Sequence, residues 1–177
     1  MVDRDPITNT SKKAITHITQ DEVIRLFHYD PTTGHLTRKI RAGTTGQVGG
    51  RAGSVRSSGY RSVRVNGTLC VEHRIIWLWW SGAWPYAQID HINGIRDDNR
   101  IANLRIASTA ENQRNSGTRS DNSLGVKGVY RVGKKFRALI QAGGSQLHLG
   151  YFPTKEAASE AYKAACTRLH GDFARTE

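Results

Sequence analysis

Apolar positions are sparse at the start of the chain and then recur with clear periods. Residues 1–18 are polar, lack apolar periodicity and are predicted to form a disordered tail. Thr19 precedes apolar residues at helical spacing, which predicts a short capped helix from this residue onward. Residues 30–34 combine Asp, Pro, Thr and Gly, a composition typical of a turn. Residues 41–58 are rich in Gly, Ser and Arg, so we expect loops and one short strand there.

Residues 60–71 show the strongest local pattern in the chain. Apolar and polar residues alternate on both sides of Asn66-Gly67, a pair that tolerates the positive φ angles of a two-residue turn. This segment is therefore predicted to be a β-hairpin. The apolar run 72–81 follows and predicts about three turns of helix, ended by Gly82. Its Trp residues lie among aliphatic residues and are expected in the core rather than on a base-stacking surface.

Residues 88–115 read as strand, polar loop, strand and helix. The first strand delivers Asp90 and His91, and a second strand is expected at residues 104–107. Ser108 and Glu111 have the spacing of a capping box, so a helix begins there and carries Asn112 in its first turns. The pattern predicts that Asn112 faces back toward Asp90.

Residues 116–125 are polar and form the predicted linker between two domains, 19–115 and 126–177. Three strand signals follow at residues 126–130, 136–141 and 147–151, and then a helix from Thr154 with an apolar stripe. The predicted fold class is α+β: a ββα core at about residues 86–116, followed by a small three-stranded antiparallel sheet packed on one helix.

Charge indicates a polyanionic partner. Lys and Arg number 26 against 15 acidic residues, a net charge of +11, which suits nucleic acid because neutralised phosphates release counterions. No apolar run is long enough to span a membrane, and the polar N-terminal segment does not resemble a signal peptide. Cys70 and Cys166 are distant, so a four-thiolate zinc site is excluded. Both cysteines are expected to be reduced and buried.

The segment around Asp90 has the parts of a one-metal phosphodiesterase. A carboxylate and an amide oxygen are hard ligands that favour Mg²⁺ or Mn²⁺ over zinc. A neighbouring His can act as a general base on water near neutral pH. The cation would stabilise charge on the phosphate and on the leaving 3′ oxygen.

Three motifs carry a family resemblance: residues 71–77 (VEHRIIW), 89–94 (IDHING) and 98–105 (DNRIANLR). Together they closely resemble the HNH nucleases of phages and group I introns, which have the ββα-metal (His-Me finger) active site. The resemblance covers roughly residues 60–116 and is nearest to the homing-endonuclease branch.

That resemblance implies a role for each matching residue. His91 is the general base, Asp90 is the first metal ligand, and Asn103 is the structural Asn that ties the loop together. Asn112 stands where the second metal ligand is found, with Asn115 as the alternative if the helix register differs. Colicin-type members have His at this position, so the Asn makes zinc less favoured than Mg²⁺ or Mn²⁺.

His73 and Arg74 lie in the first of these motifs. His73 either hydrogen-bonds the scissile phosphate or the metal-bound water, or is a strand-end His satisfied by backbone groups. Arg74 either contacts phosphate or has a surface role.

The C-terminal segment resembles a second family. Residues 125–131 (GVKGVYR), 147–152 (LHLGYF) and 156–165 (EAASEAYKAA) are similar to the plant ethylene-response-factor (Apetala-type) DNA-binding domain, which lays its sheet in the major groove. Seven basic residues against one acidic residue crowd residues 114–137. Arg131 and Arg137 are the first candidates for base or phosphate contact, because Arg can bind guanine in a bidentate way. The full candidate set is Arg114, Arg119, Lys127, Tyr130, Arg131, Lys134, Lys135 and Arg137.

The combined prediction is a metal-dependent DNA endonuclease, of the homing type, that a C-terminal domain targets to double-stranded DNA. A DNA-binding regulator with an inactive nuclease domain and an RNA-directed nuclease are the alternatives. By resemblance we expect a phage or mobile-element origin and a cytoplasmic location. The sequence leaves open whether one chain nicks DNA or a homodimer cuts both strands.

Overall fold

The structure is a computed structural model that describes residues 17–44, 46–118 and 122–174, without the side chain of Asp172. It contains α-helices and small antiparallel sheets, in agreement with the predicted α+β class. The chain divides into two compact units, residues 1–107 and 108–177, which are described separately below. That division precedes the predicted linker at 116–125, and it assigns the helix that begins after Ser108 to the second unit.

The first unit contains two helices and seven strands among its described residues. The helices are α1 (Gln20–Leu26) and α2 (Glu72–Ser81). The strands are β1 (Phe27–Asp30), β2 (His35–Arg38), β3 (Ser54–Val55), β4 (Arg61–Val65), β5 (Thr68–Val71), β6 (Gln88–His91) and β7 (Leu104–Ala107). They form three antiparallel sheets, β1-β2, β3-β4-β5 and β6-β7. A 3₁₀ turn over Ile101–Asn103 precedes β7.

The N-terminal elements correct two sequence-based expectations. Ile18 was assigned to the disordered tail, but its side chain is only 1% exposed and its carbonyl accepts a hydrogen bond from Trp84 Nε1 at 2.9 Å. The remaining tail residues 1–16 lie outside the described residues. Thr19 caps α1 in a capping box with Glu22, as its position predicted. The helix ends before Phe27, which begins β1, and the β1-β2 hairpin was not predicted.

The predicted hairpin at residues 60–71 is confirmed as β4-β5. Asn66 and Gly67 have φ values of 46° and 83°, the positive values that a two-residue turn of the favoured hand requires. Helix α2 begins directly after β5 and ends at Gly82, whose φ of 78° is left-handed. The predicted helix bounds are therefore also confirmed.

The core of the first unit packs α1 and α2 against the hairpins. Its largest fully buried side chains include Tyr29, Phe27, Leu36, Ile75 and Ile76. The tryptophans only partly meet the expectation of core positions. Trp77, Trp79 and Trp84 pack against this core, whereas the side chain of Trp80 is 53% exposed.

The second unit contains a sheet and two helices among its described residues. The elements are α3 (Thr109–Asn115), β8 (Val129–Val132), β9 (Lys135–Ala142), β10 (Ser145–Phe152) and α4 (Lys155–His170), followed by a 3₁₀ turn over Gly171–Phe173. The strands form one antiparallel sheet with β9 in the centre. Helix α4 buries Ala158, Tyr162 and Ala165 at helical spacing and packs on this sheet. Gly128 allows the close approach, because a Cβ atom there would collide with the Tyr162 ring.

Both cysteines, Cys70 and Cys166, are buried and form no disulfide among the described residues, as expected. Across the described ranges, no helix is both long enough and apolar enough to cross a bilayer.

Candidate active site

The β6-β7 hairpin carries the two residues of the Asp-His pair. Asp90 is opposite Arg105 and His91 is opposite Leu104 in the antiparallel register. Both side chains are nearly buried, at 4% and 3% exposure. Two adjacent residues of a strand point to opposite faces of the sheet, so Asp90 and His91 meet different neighbours.

Asn103 connects the two ends of the loop between these strands. Its Oδ1 accepts from the Asn93 backbone N–H at 3.0 Å, and its Nδ2 donates to Asn93 Oδ1 at 3.0 Å and to the Asp98 carbonyl at 2.8 Å. Asn93 Nδ2 also donates to Asp98 Oδ2 at 2.6 Å. Asn103 therefore cross-links the loop at residues 93 and 98.

Asp90 forms an ion pair across the hairpin. Arg105 Nε and Nη2 lie 2.8 and 2.7 Å from Asp90 Oδ2. The guanidinium therefore compensates the buried carboxylate through one of its two oxygens. Arg105 ends the motif at residues 98–105, and nothing in that motif predicted this ion pair.

A chain of three buried side chains holds His91. Glu72 Oε2 accepts a hydrogen bond from Asn99 Nδ2 at 2.7 Å, and Asn99 Oδ1 lies 2.9 Å from His91 Nε2. Because the Asn99 amide group points its NH₂ at Glu72, its oxygen faces the imidazole and has to accept from Nε2–H. A neutral His91 in this arrangement carries its lone pair on Nδ1.

Glu72 is a fully buried carboxyl group in the first turn of α2, and full burial is rare for Glu. It is 0% exposed, and its Oε1 has no hydrogen-bond partner among the described residues. Burial raises the pKa of Glu72 to about 7, although the Asn99 hydrogen bond and the positive charges of Arg51 and Arg61 oppose the rise. Arg61 also binds Asp97 through two hydrogen bonds of 2.9 and 3.0 Å.

Aromatic rings surround His91 on its other sides. The ring centroids of His73 and Tyr60 lie 5.1 and 5.8 Å from that of His91, and Arg96 stacks on Tyr60. Burial lowers the pKa of His91 and lowers that of His73 well below its ordinary value. Both imidazoles are therefore neutral near pH 7, the form in which His91 can accept a proton.

His73 differs from the sequence-based alternative of a strand-end His. It lies in the first turn of α2 and is buried, and its Nδ1 has no hydrogen-bond partner among the described residues. Neighbouring Arg74 is half-buried, with its guanidinium carbon 5.9 Å from the Trp84 ring centroid.

Asn112 and Asn115 lie on α3, in the second unit. The helix has the predicted capping box between Ser108 and Glu111, Asn112 is half-buried, and Asn115 is buried. Within the described residues, no three His, Cys, Asp or Glu side chains converge as a metal cluster.

The sheet of the second unit separates the two leading Arg candidates. Arg137 is opposite Tyr130 in the register, whereas Arg131 is opposite Phe136. Directly paired residues share a face and successive residues alternate, so Arg131 and Arg137 are on opposite faces. Phe136 packs into the core on the helix side, which leaves Arg137 and Tyr130 on the outer face. Their side chains are in contact distance, 6.0 Å from the guanidinium carbon to the ring centroid.

The other candidates of the second unit have different surroundings. Lys134 and Lys135 are exposed on the first turn of the sheet. Lys127 Nζ donates to the carbonyls of Arg114 and Ser116, each at 2.6 Å, and so binds the C-terminal end of α3. Arg119 lies outside the described residues.

The sequence did not predict the three residues outside strands β6 and β7 that surround His91: Glu72, Asn99 and Tyr60. The pattern around Asn99 indicates only a polar loop, and the pattern around Tyr60 only a strand. Glu72 offered a signal, because a carboxylate inside the apolar run 71–78 needs a buried partner.

Comparisons with known proteins match the segment that contains these residues. A family model described as HNH endonuclease matches residues 71–114, which include Glu72, His73, Asp90, His91 and Asn112. An uncharacterized HNH endonuclease of Acanthamoeba polyphaga mimivirus is 30% identical over 87 residues, covering 49% of this chain and 44% of that protein. Protein 3.8 of Escherichia phage T7 is 31% identical over 107 residues, covering 59% of this chain and 88% of that protein. The match thus spans less than half of the mimivirus protein. No solved structure matches the chain.

Proposed function

Since this chain belongs to the HNH endonuclease family, we propose that it is a metal-dependent DNA endonuclease that hydrolyses a phosphodiester bond with His91 as the general base. The family implies a nuclease, and its members generally depend on a divalent metal ion. The substrate, the metal and the roles of individual residues belong to the proposal.

The observation that carries the proposal is the buried chain from Glu72 through Asn99 to His91. It fixes Nε2 as the hydrogen-bond donor, so Nδ1 is the basic nitrogen of the neutral ring. A general base has to present a lone pair in a defined direction at a pKa suited to neutral pH. His91 meets both demands: Asn99 sets its orientation, and burial keeps it neutral. Its Nδ1 then takes the proton of the attacking water.

Asp90 and Asn112 are the residues that we assign to the metal. Their oxygen atoms suit Mg²⁺ or Mn²⁺ better than zinc, which favours sulfur and nitrogen ligands. When bound, the cation supplies positive charge that stabilises the phosphate and the leaving oxygen. Asp90 is already held by Arg105 through one oxygen, which orients the carboxylate on its strand. The products are expected to carry 5′-phosphate and 3′-hydroxyl ends.

His73 is assigned to the scissile phosphate or to the attacking water. Its neutral ring packs against His91, and its Nδ1 is an unused buried polar atom among the described residues. Buried polar groups without partners are uncommon and are a feature of functional sites.

Targeting to duplex DNA is assigned to the second unit. Arg137 and Tyr130 on the outer face of its sheet, with Lys135 beside them, combine positive charge with an exposed aromatic ring. Lys134 extends the basic surface at the hairpin turn. Phosphodiester chemistry at His91 does not read sequence, so a binding surface has to aim it.

Nicking of supercoiled plasmid in the presence of Mg²⁺ tests the proposal. We expect His91→Ala to lose at least 100-fold in rate, because general-base catalysis contributes about that factor or more. His28→Ala is the matched control, since His28 is an exposed His of the same unit. Loss of activity on chelation, and its return with Mg²⁺ or Mn²⁺, checks the metal. Nicking by His91→Ala at the wild-type rate would contradict the assignment.

The Asp90–Arg105 ion pair favours one alternative, a DNA-binding protein with an inactive nuclease site, because Arg105 already neutralises the carboxylate. The plasmid nicking assay decides between an active endonuclease and a DNA-binding protein with an inactive site. Tight binding of duplex DNA without cleavage in either metal would support the alternative.

A further inference from the structure

A groove of about 600 Å³ opens on the first unit, and no residue of the β6-β7 hairpin lines it. It is lined by residues of α1, β2, β4 and the loops between residues 40 and 56. Four of the lining residues are arginines, Arg38, Arg41, Arg56 and Arg64, and none is Asp or Glu. The groove is therefore a concave surface of one charge.

The chain segment that forms most of the groove is basic. From residue 31 to residue 71 the sequence contains seven Lys or Arg residues and no Asp or Glu. Two of the seven, Arg51 and Arg61, bind Asp97 from outside this segment. Among the described residues, the four groove arginines form no ion pair. Like charges held this close cost free energy unless an anion is present to neutralise them.

The floor of the groove limits what that anion is. Leu26, Phe27 and Leu69 contribute apolar surface, and Arg38 lies over the Phe27 ring at 5.5 Å. The groove is open rather than enclosed, so it suits a long polyanion that passes across it better than a small anion that needs full encirclement.

The groove connects with the candidate active site through one tight turn. The Arg56 backbone N–H donates to the Tyr60 carbonyl at 2.8 Å, and the Tyr60 ring packs on His91. Arg96 spans the same turn, donating to the Ser58 carbonyl at 2.6 Å while it stacks on Tyr60. Arg56, which lines the groove, and Tyr60, which packs on His91, therefore belong to the same turn.

We propose that this groove binds the phosphodiester backbone of duplex DNA next to the cleaved bond. Arg38, Arg41, Arg56 and Arg64 contact phosphates without reading the bases, and so hold the strand in register with His91. The inference rests on the proposed function for its ligand, but the groove lies outside the catalytic residues and outside the second unit.

Salt-dependent binding tests the groove. Affinity for a labelled duplex is measured by fluorescence anisotropy, with the His91→Ala chain as background so that no cleavage occurs. Arg41→Ala/Arg56→Ala removes two exposed side chains that make no described ion pair. We expect the affinity near 0.15 M salt to fall roughly tenfold or more, and the slope of log K against log salt to become shallower by about 2.

Two control variants separate contact from net charge. Arg25→Ala/Arg168→Ala removes the same charge from exposed positions outside the groove, and we expect a slope within about 0.5 of the parent. Arg41→Lys/Arg56→Lys keeps the charge, and we expect most of the affinity to return. Thermal unfolding of each variant checks that the fold is retained.

Three outcomes would overturn the groove proposal. They are an unchanged salt slope for the Arg41/Arg56 pair, an equal loss for the Arg25/Arg168 pair, and a loss confined to duplex RNA of the same sequence. Because binding is measured without cleavage, a failed nicking assay leaves this result interpretable. If the wild-type chain nicks DNA but the Arg41→Ala/Arg56→Ala variant binds DNA as tightly as its parent, the groove proposal fails and the nuclease proposal stands.

Discussion

His91 is oriented by an amide side chain that, while Glu72 is ionised, cannot rotate without losing a buried hydrogen bond. If the Asn99 amide flipped, its NH₂ would face His91 Nε2 and its oxygen would face the Glu72 carboxyl group. Both groups are nearly inaccessible, Asn99 at 1% and Glu72 at 0% exposure, so water cannot repair the mismatch. Asn99 and Glu72 are thus positioning residues that act on the reaction through His91.

Removal of this support should slow the reaction without greatly changing DNA binding. We expect Asn99→Ala to lower kcat by 10- to 100-fold with little change in KM, as is usual for groups that orient a catalytic ligand. In ¹⁵N NMR spectra, His91 should change from the Nε2–H tautomer to a mixture.

Glu72→Gln is the conservative comparison for Asn99→Ala, because a Gln oxygen can still accept from Asn99. It should stay within several-fold of the wild-type kcat. An Asn99→Ala chain with an unchanged tautomer and rate would disprove the positioning role.

The Glu72 carboxyl group should make stability depend on pH. Its folded pKa of about 7 lies above the ordinary value of 4.5, so the folded state binds the proton more tightly than the unfolded state. The free energy of unfolding therefore falls as pH rises from about 4.5 to 7, and the loss is complete above pH 7. Glu72→Gln removes this term.

Urea unfolding at pH 5 and pH 8 measures the Glu72 effect. We expect the stability of Glu72→Gln relative to wild type to increase between these values by up to about 3 kcal/mol. Parallel pH dependence of the two chains would show that Glu72 is charged at little cost in the folded protein.

At the scale of elements, the β1-β2 hairpin supports the loop that carries Asn99. The Tyr29 hydroxyl donates to the Asn99 carbonyl at 3.0 Å and accepts from the Ile101 N–H at 2.8 Å. Gly34, in the turn of the same hairpin, has a φ of 73°, and a Cβ there would collide with the Arg100 nitrogen. The hairpin thus fixes the backbone of residues 99–101 from two points.

Gly34→Ala should separate this hairpin from the loop. We expect a loss of 1–3 kcal/mol in the free energy of unfolding, from backbone strain together with the collision, and slower nicking because Asn99 shifts. Gly49→Ala is the matched control, since its φ of 77° gives similar strain, its Cβ would meet no atom within 4 Å, and it does not line the arginine groove. Equal effects of the two substitutions would show that strain alone, and not the contact with residues 99–101, matters.

Local patterns predicted elements well but did not predict their assembly. The β4-β5 hairpin and helix α2 follow from Asn66-Gly67, the alternation before it and the left-handed Gly82, all of which are signals within a few residues. The predicted roles of Asp90 and His91 likewise rest on a pattern along the chain, the Asp-His pair followed by Asn103 and Asn112 at the spacing of the resembling family.

The partners of His91 could not be predicted in this way. Glu72 reaches Asn99 from α2, a helix 27 residues earlier in the chain, and the β1-β2 hairpin contacts the same loop from about 70 residues away. Such contacts depend on tertiary packing, which no local period encodes. For the same reason, the opposite faces of Arg131 and Arg137 became evident only with the β8-β9 register.

For the whole molecule, one chain carries one His91 and one Asp90, so each catalytic event is expected to cut one strand. The two scissile phosphates of a duplex run in opposite directions, and a single general base in a fixed groove can address only one of them in a given bound orientation. Cleavage of both strands then needs a second chain or dissociation and rebinding.

Supercoiled plasmid under single-turnover conditions distinguishes these routes. With one chain per site, nicked circles should accumulate first, and linear DNA should follow only after a lag as independent nicks come to lie opposite each other. The rate of nicking should saturate with enzyme concentration as a single binding event does. A pair of chains acting together would instead give linear DNA without a nicked intermediate, at a rate that rises with the square of the enzyme concentration. Mixing wild type with His91→Ala adds a direct check. For a chain that acts alone, nicking falls only by competition for DNA. A cooperating pair with one inactive chain would cut one strand and leave nicked circles in place of linear DNA.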